Sequence, residues 1–176
     1  MTERLDLADP YLTRFEAEVL AERSLGGRPA VVLSRTAFYP EGGGQPADRG
    51  TLGGARVIDV QEVGGEVLHA VEGAVPAGRV TGEVDWARRQ DHMQQHHGQH
   101  VLSAAFEASL GAATVSFHLG AETCTIDLDV PPERLGPGAL AEVERAANAV
   151  VWRDLPVTAR ELSADELSRL ALRKEP

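Results

Sequence analysis

Two histidines four residues apart, His96 and His100, are the side chains of this sequence best placed to act together. They belong to the stretch HMQQHHGQHVLS, which lies in a helical context and in which His92 extends the same stripe. Residues at i and i+4 of an α-helix share one face, so both imidazoles can reach a single zinc ion. No carboxylate stands between them, unlike in the zinc-protease signatures. Because a zinc site needs three or four protein ligands, the pair is also compatible with ordinary surface histidines.

A run of glycines, Gly42-Gly43-Gly44 followed by Gln45, is the second feature. It lacks the Gly-Lys-Ser/Thr ending of a P-loop and the G-x-G-x-x-G spacing of a dinucleotide site. Three consecutive glycines let the backbone come close to a ligand or to another chain segment. The alternative is a tight loop between two strands.

The first half of the chain is predicted to consist of short strands and glycine-rich turns. Apolar runs and alternating patterns predict strands at 15–20, 29–33, 56–61, 66–71 and 82–86, with a loop at 36–50. The third and fourth of these strands flank Gly64-Gly65, which is typical of a β-hairpin. Several short strands without a helical pattern favour a small β-barrel or sandwich.

The pattern becomes helical after residue 86, which we take as a domain boundary between residues 1–86 and 87–176. Helices are predicted at 87–110, ended by Gly111, and at 140–152; strands are predicted at 114–118, 123–129 and 156–162. Ser163 and Glu166 have the spacing of a capping box for a last short helix. The fold class is therefore α+β, a barrel-like domain followed by a domain that carries the histidine helix.

Composition bounds the class of protein. The chain has 176 residues, 43% of them hydrophobic and 25% charged, and one cysteine, which excludes an internal disulfide framework. No apolar run approaches the ~20 residues of a membrane span, and the expected compartment is the cytoplasm. A net charge of −10 disfavours broad adhesion to nucleic acid. Local basic patches could still bind it, although surface charge is the more ordinary interpretation; the candidates are Arg88, Arg89, Arg169, Arg173 and Lys174.

Three motifs together carry a family resemblance. FYPEGGGQPADRG, MQQHHGQHVLSAAF and SFHLGAETCTIDLD resemble the alanyl-tRNA synthetase editing-domain family, and more narrowly its medium-length, free-standing AlaX-type proteins. The resemblance implies an N-terminal β-barrel that carries the glycine motif, then an α/β editing domain with a zinc ion bound by HxxxH and by a later CxxxH. It also implies hydrolysis of tRNA(Ala) mischarged with serine or glycine. Because the chain starts at Met1, a free-standing protein is favoured over the editing domain of a complete synthetase.

The sequence departs from the family pattern at the second ligand pair. The only cysteine is Cys124, and Leu128 stands where CxxxH requires histidine, so the editing domain is predicted to be C-terminally incomplete. His96 and His100 match the first pair, and the chain as given is expected to bind zinc poorly. Cys124 and His118 are possible substitute ligands. However, alternation along the strand places Cys124 on the apolar side, which favours a buried structural thiol.

An aminoacyl ester is already activated, so its hydrolysis needs a positioned water and charge stabilisation more than a strong nucleophile. No G-x-S-x-G nucleophile motif occurs. Zinc could activate the water or orient the substrate. Gln99, Thr114 and Ser116 are candidate readers of the serine hydroxyl. The predicted catalytic residues are His96, His100 and Gln99, and the predicted substrate-binding residues are Gly42, Gly43, Gly44, Gln45, Ser116 and His118.

Two other interpretations remain open. A truncated or inactive editing-like module could bind tRNA or protein without hydrolysis, which the missing ligand pair favours. An unrelated metal-free barrel with a helical appendage would explain the composition but not the combined motifs.

Overall fold

The computed structural model describes residues 2–120, 122–158 and 162–170, and it combines helices and strands as the α+β prediction requires. The strands are β1 Glu3–Arg4, β2 Arg14–Leu25, β3 Arg28–Leu33, β4 Arg35–Thr36, β5 Gly50–Leu52, β6 Ala55–Val63, β7 Glu66–Glu72, β8 Arg79–Val84, β9 Thr114–Leu119 and β10 Cys124–Leu128. The helices are α1 Leu5–Ala8, α2 Trp86–Leu110, α3 Pro137–Trp152 and α4 Ala164–Leu167, with a 3-10 turn at Pro132–Arg134.

Six antiparallel strands form one sheet in the order β2-β3-β7-β6-β5-β8, and the sheet closes because β8 also pairs with β2. Alternate residues of these strands point inward, and Phe15, Leu33, Leu52 and Val60 form an apolar core together with Phe38 from the loop after β4. The hairpin of β6 and β7 turns at Gly64-Gly65 as predicted. This core fixes the frame to which the loop between β4 and β5 is attached.

A histidine lies inside this core. His69 is fully buried, with one ring nitrogen 2.8 Å from Thr36 Oγ1 and the other 3.2 Å from the Val31 carbonyl oxygen. Burial lowers the pKa of His69 to about 4 because the charged ring would lose its hydration. The imidazole is therefore neutral near pH 7 and belongs to the core.

The closed sheet, hereafter the barrel, is connected to α2 by a single residue. The Asp85 side chain accepts a hydrogen bond from the Arg88 backbone N–H at 3.2 Å and caps the helix. The predicted last strand at 82–86 is therefore wrong at both ends, since β8 covers Arg79–Val84 and Trp86 is already helical. The predicted end of α2 is confirmed, because Gly111 has φ = +60° and takes the left-handed cap.

The second half packs α2 against α3 and against the β9–β10 pair. Phe106 and Val143 are buried between the two helices. The helix α3 starts at Pro137, three residues before the predicted start at 140, because proline suits the first helical position. Its predicted apolar face is only partly covered, since Val150 and Val151 are 38% and 62% exposed.

Two other predictions meet the structure at the end of the chain. The described part of the predicted strand at 156–162, residues 156–158 and 162, is not a strand, and residues 159–161 lie outside the described ranges. The capping box of Ser163 and Glu166 is confirmed, with both reciprocal hydrogen bonds formed. Within the described residues no helix is long and apolar enough to cross a membrane. The domain boundary at residue 86 stays a prediction.

Candidate functional site

The imidazoles of His96 and His100, hereafter the His pair, lie side by side on one face of α2. Their ring centroids are 4.9 Å apart and the rings are nearly parallel, with an interplanar angle of 26°. This is the arrangement that the spacing of four residues predicts. His96 is half-buried and His100 is exposed at the surface of the helix.

The glycine run lies directly beside the His pair. A Cβ added to Gly43 would be 3.8 Å from Cε1 of His96. His96 Nδ1 donates a hydrogen bond to the side-chain carbonyl oxygen of Gln45 at 2.9 Å. Because that oxygen only accepts, Nδ1 carries the proton and Nε2 keeps its lone pair. The loop between β4 and β5 therefore sets the orientation of one imidazole.

Residues 42–45, hereafter the glycine turn, form a tight reversal of the chain. The backbones of Gly42 and Gln45 exchange two hydrogen bonds of 3.1 and 3.0 Å. The two central residues, Gly43 and Gly44, have φ of +57° and +80°, which a type I′ turn requires and which L side chains adopt only with strain. The hydroxyl of Tyr39 donates to the Gly42 carbonyl at 2.9 Å and holds the turn from behind.

Phe117 completes the site, although no role is predicted for it within its motif. Its ring centroid is 5.4 Å from that of His96 and 6.1 Å from that of His100. The glycine turn packs on the same residue, because the space beside Gly44 holds the Phe117 ring 2.8 Å from where a Cβ would stand. Phe117 thus contacts both the glycine turn and the His pair.

A β-bulge brings two residues of β9 to α2. Thr114 and Phe117 would face opposite sides of a regular strand, but the register against β10 shifts between Asp127 and Leu128. The extra residue, Val115, lets both side chains reach the helix. Functional positions on β9 could not be assigned from its alternation for this reason.

A buried ion pair ties the loop to the start of α2. Arg89 Nε donates to Asp48 Oδ2 at 2.8 Å, Nη2 donates to the same oxygen, and Nη1 donates to the Pro10 carbonyl at 2.8 Å. Both partners are almost fully buried, at 3% and 0% side-chain exposure. The interpretation of Arg89 as a surface charge is therefore wrong. No local pattern could reveal this pair, because its members are 41 residues apart.

Gln99, which directly precedes His100 on α2, takes part in a chain of side-chain hydrogen bonds. Its Nε2 donates to Ser103 Oγ at 2.6 Å, and Thr114 Oγ1 donates to the same hydroxyl at 2.8 Å. Gln99 is 8% exposed, and its Oε1 is buried without a partner among the described residues. Two of the predicted hydroxyl readers, Gln99 and Thr114, are therefore brought together through Ser103.

The other predicted site residues lie elsewhere. Ser116 and His118 alternate with Phe117 and so face away from the His pair; the hydroxyl of Ser116 donates to Asp127 instead. Cys124 is exposed, and its thiol donates to Gln95 Oε1 at 3.4 Å. The prediction of a buried thiol is wrong, because the strand starts at this residue and neither helix covers it.

The donors present match only part of a zinc site. The lone pair of His96 Nε2 suits a metal, and burial, followed by the nearby His100 and His97, lowers the pKa of His96 and favours its neutral form. However, the described residues contain no group of three or more His, Cys, Asp or Glu side chains that could hold a metal ion. The described residues therefore do not fit a complete zinc centre, which needs three or four ligands.

The comparisons with known proteins identify relatives of two kinds. A family model described as tRNA synthetases class II (A) matches residues 11–88. Alanine–tRNA ligase of Pyrobaculum neutrophilum is 44% identical over 172 residues, which cover 94% of this chain and 19% of the ligase. Alanyl-tRNA editing protein Aarsd1 of Rattus norvegicus is 42% identical over 137 residues, covering 77% of this chain and 33% of that protein. The Bos taurus protein of the same name is 40% identical over 156 residues, covering 85% and 35%.

Proposed function

The predicted resemblance to the alanyl-tRNA synthetase editing-domain family is confirmed by these relatives, and from it we propose that the chain is a hydrolase acting on mischarged tRNA(Ala). Its substrates are Ser-tRNA(Ala) and Gly-tRNA(Ala), and its reaction is hydrolysis of the aminoacyl ester. The chain spans about a fifth of the ligases and about a third of the editing proteins. The observation that carries the proposal is the contact between the His pair and the glycine turn.

The geometry supports this reaction in two ways. The hydrogen bond from Nδ1 to Gln45 leaves Nε2 of His96 as an acceptor. Nε2 can therefore accept a hydrogen bond from an attacking water or from the amino group of the substrate. The glycine turn has no side chains at Gly43 and Gly44, so the ribose and ester of a tRNA end can come close to its backbone. A positioned acceptor and an approachable backbone support the hydrolysis of an ester that is already activated.

Zinc stays part of the proposal as a prediction. When bound, zinc would lower the pKa of a water or polarise the ester carbonyl, and the His pair would supply two of its ligands. The further ligands would have to come from outside the described residues. We therefore assign the residues of this chain their roles in binding and orientation without a step through the metal.

Gln99 is proposed to read the hydroxyl of the misplaced serine. Its buried Oε1 is an acceptor without a partner among the described residues, and a buried unpaired acceptor costs about 1–3 kcal/mol. A hydroxyl that reaches it would recover this energy, whereas alanine offers none. A site built to hydrogen-bond a hydroxyl can reject an analogue without one by about 10⁴–10⁵.

Deacylation of Ser-tRNA(Ala) by single variants tests the proposal. We expect His96→Ala and His100→Ala each to abolish turnover, because each removes half of the pair. Asp91→Ala, an exposed substitution on the same helix, is the control and should hydrolyse at the wild-type rate. Turnover at the wild-type rate by the double histidine variant would refute the site.

The second candidate function is a module that binds tRNA without hydrolysing it. The observation in its favour is that the described residues contain no group of three metal ligands. Deacylation assayed with added zinc separates the two functions. Tight tRNA binding together with no hydrolysis in zinc would favour the binding module.

A further inference from the structure

A cavity on the face of α2 next to the His pair has the chemistry of a nucleobase site. We propose that it binds bases of the single-stranded 3′ end of tRNA, an inference that rests on the proposed function. The cavity has a volume of about 320 Å³, at the lower end of the range for small-molecule sites. The cavity is lined by Tyr11, Trp86, Gln90, Met93, Gln94, His97 and Val157.

The aromatic pair provides a surface on which a base can stack. The ring centroids of Tyr11 and Trp86 are 5.7 Å apart and the rings are tilted by 44°. Tyr11 is 68% exposed, although an aromatic side chain of this size is more often covered. Proteins bind unpaired bases by stacking them on such rings, and this contact is largely independent of sequence.

The remaining lining provides hydrogen bonds without negative charge. Gln90, Gln94 and His97 lie along one side of α2, and Met93 provides an apolar contact between them. Each glutamine amide both donates and accepts, so it can pair with the edge of a base. None of the described residues that line the cavity is a carboxylate. In a chain of net charge −10 this is a place where a phosphate backbone meets little repulsion.

The position of the cavity fits an RNA end held at the His pair. His97 follows His96 directly, and Trp86 lies ten residues before His96, which is about 15 Å along the helix axis. That length corresponds to about four stacked nucleotides at ~3.4 Å each. An ester held at the His pair would therefore place the preceding unpaired nucleotides along this side of α2.

Fluorescence titration with the RNA tetranucleotide 5′-ACCA-3′ tests the inference without requiring hydrolysis. The protein is the full chain carrying Trp152→Phe, which leaves Trp86 as the only tryptophan of two. We expect saturable quenching of Trp86. Gln94→Ala should weaken binding at least about 5-fold, as should Tyr11→Leu, whose lost stacking contact is worth that much or more. Gln95→Ala, the adjacent residue outside the cavity, is the matched control and should bind as the parent does.

Kinetics with Ser-tRNA(Ala) separates this inference from the proposed function. We expect Tyr11→Leu to raise KM about 5-fold or more while kcat stays within about 2-fold, because the cavity binds but does not react. If the tetranucleotide quenches Trp86 but the protein does not hydrolyse Ser-tRNA(Ala), the result would support base binding in the cavity and count against the proposed function. Hydrolysis with unchanged KM and unchanged oligonucleotide affinity in both cavity variants would overturn the inference.

Discussion

Replacement of Gly44 by alanine tests how closely the glycine turn must approach Phe117. The added Cβ would stand 2.8 Å from Cε2 and 3.0 Å from Cζ of the ring, and 3.1 Å from the Phe117 backbone oxygen. Carbon atoms in contact prefer about 3.5–4.0 Å. Because one of the three neighbours is backbone, rotation of the ring alone cannot make room. We expect the ring to rotate, and the turn and β9 to move apart by a few tenths of an ångström.

The energy of this change has two parts. Alanine at φ = +80° costs about 1–2 kcal/mol in backbone strain. Overpacking against Phe117 adds about 1–3 kcal/mol. We therefore expect a loss of about 2–5 kcal/mol in the free energy of unfolding. A misplacement of about 1 Å can cost about 10²-fold in rate, so we expect the smaller shift at the His pair to lower kcat/KM by less than this.

Gly65 offers a matched control for the backbone part alone. Its φ is +81°, and no atom lies within 4 Å of where its Cβ would stand. Urea unfolding of Gly65→Ala should show only the backbone loss, and Ser-tRNA(Ala) hydrolysis should be unchanged. If Gly44→Ala and Gly65→Ala are equally stable and equally active, the glycine turn is an ordinary loop and the argument from close approach fails.

Three other predictions concern the ion pair of Arg89 and Asp48, the buried His69 and the metal. Asp48→Ala leaves the Arg89 guanidinium buried without its carboxylate, so urea unfolding should show a loss of about 3–5 kcal/mol in the free energy of unfolding. Glu72→Ala, which removes one partner of an exposed pair, should lose only about 0–1 kcal/mol. Similar losses in the two variants would show that Arg89 and Asp48 do not form a buried ion pair. His69 has a pKa of about 4 in the folded chain and about 6.5 in the unfolded chain. Its contribution to the free energy of unfolding is therefore fully present above pH 6.5. This contribution should fall by about 3 kcal/mol as the pH drops to 4, because the unfolded chain binds the proton first. His69→Gln should flatten that part of the curve, and an unchanged curve would remove His69 as its cause. Elemental analysis of the dialysed chain should find well below one zinc per molecule, whereas tight stoichiometric zinc would contradict a site with two ligands.

The sequence predicted the features that depend on local spacing. The shared face of His96 and His100, the hairpin at Gly64-Gly65 and the end of α2 at Gly111 each follow from a few neighbouring residues. These patterns act through backbone geometry that is the same in any fold. The loop that carries the glycine turn was predicted for the same reason.

The features that the sequence did not predict depend on contacts between distant segments. Arg89 is buried because Asp48 lies opposite it, and Cys124 is exposed because no helix covers the start of β10. Phe117 reaches the His pair only because of the bulge at Val115. β8 ends at Val84, before the predicted end at residue 86, because Asp85 caps α2.

Because only Asp85 joins the barrel to α2, the backbone angle at this joint sets the direction of the whole helix. A tilt of about 4° at this joint would move His96 by about 1 Å, since His96 is eleven residues, or about 16 Å, from Asp85 along the axis. The hydrogen bonds of Arg89 to Asp48 and Pro10 hold the helix in its first turn, close to Asp85. Substitutions inside the barrel that never touch the substrate would thus alter reaction rates by changing the angle at which the helix leaves it.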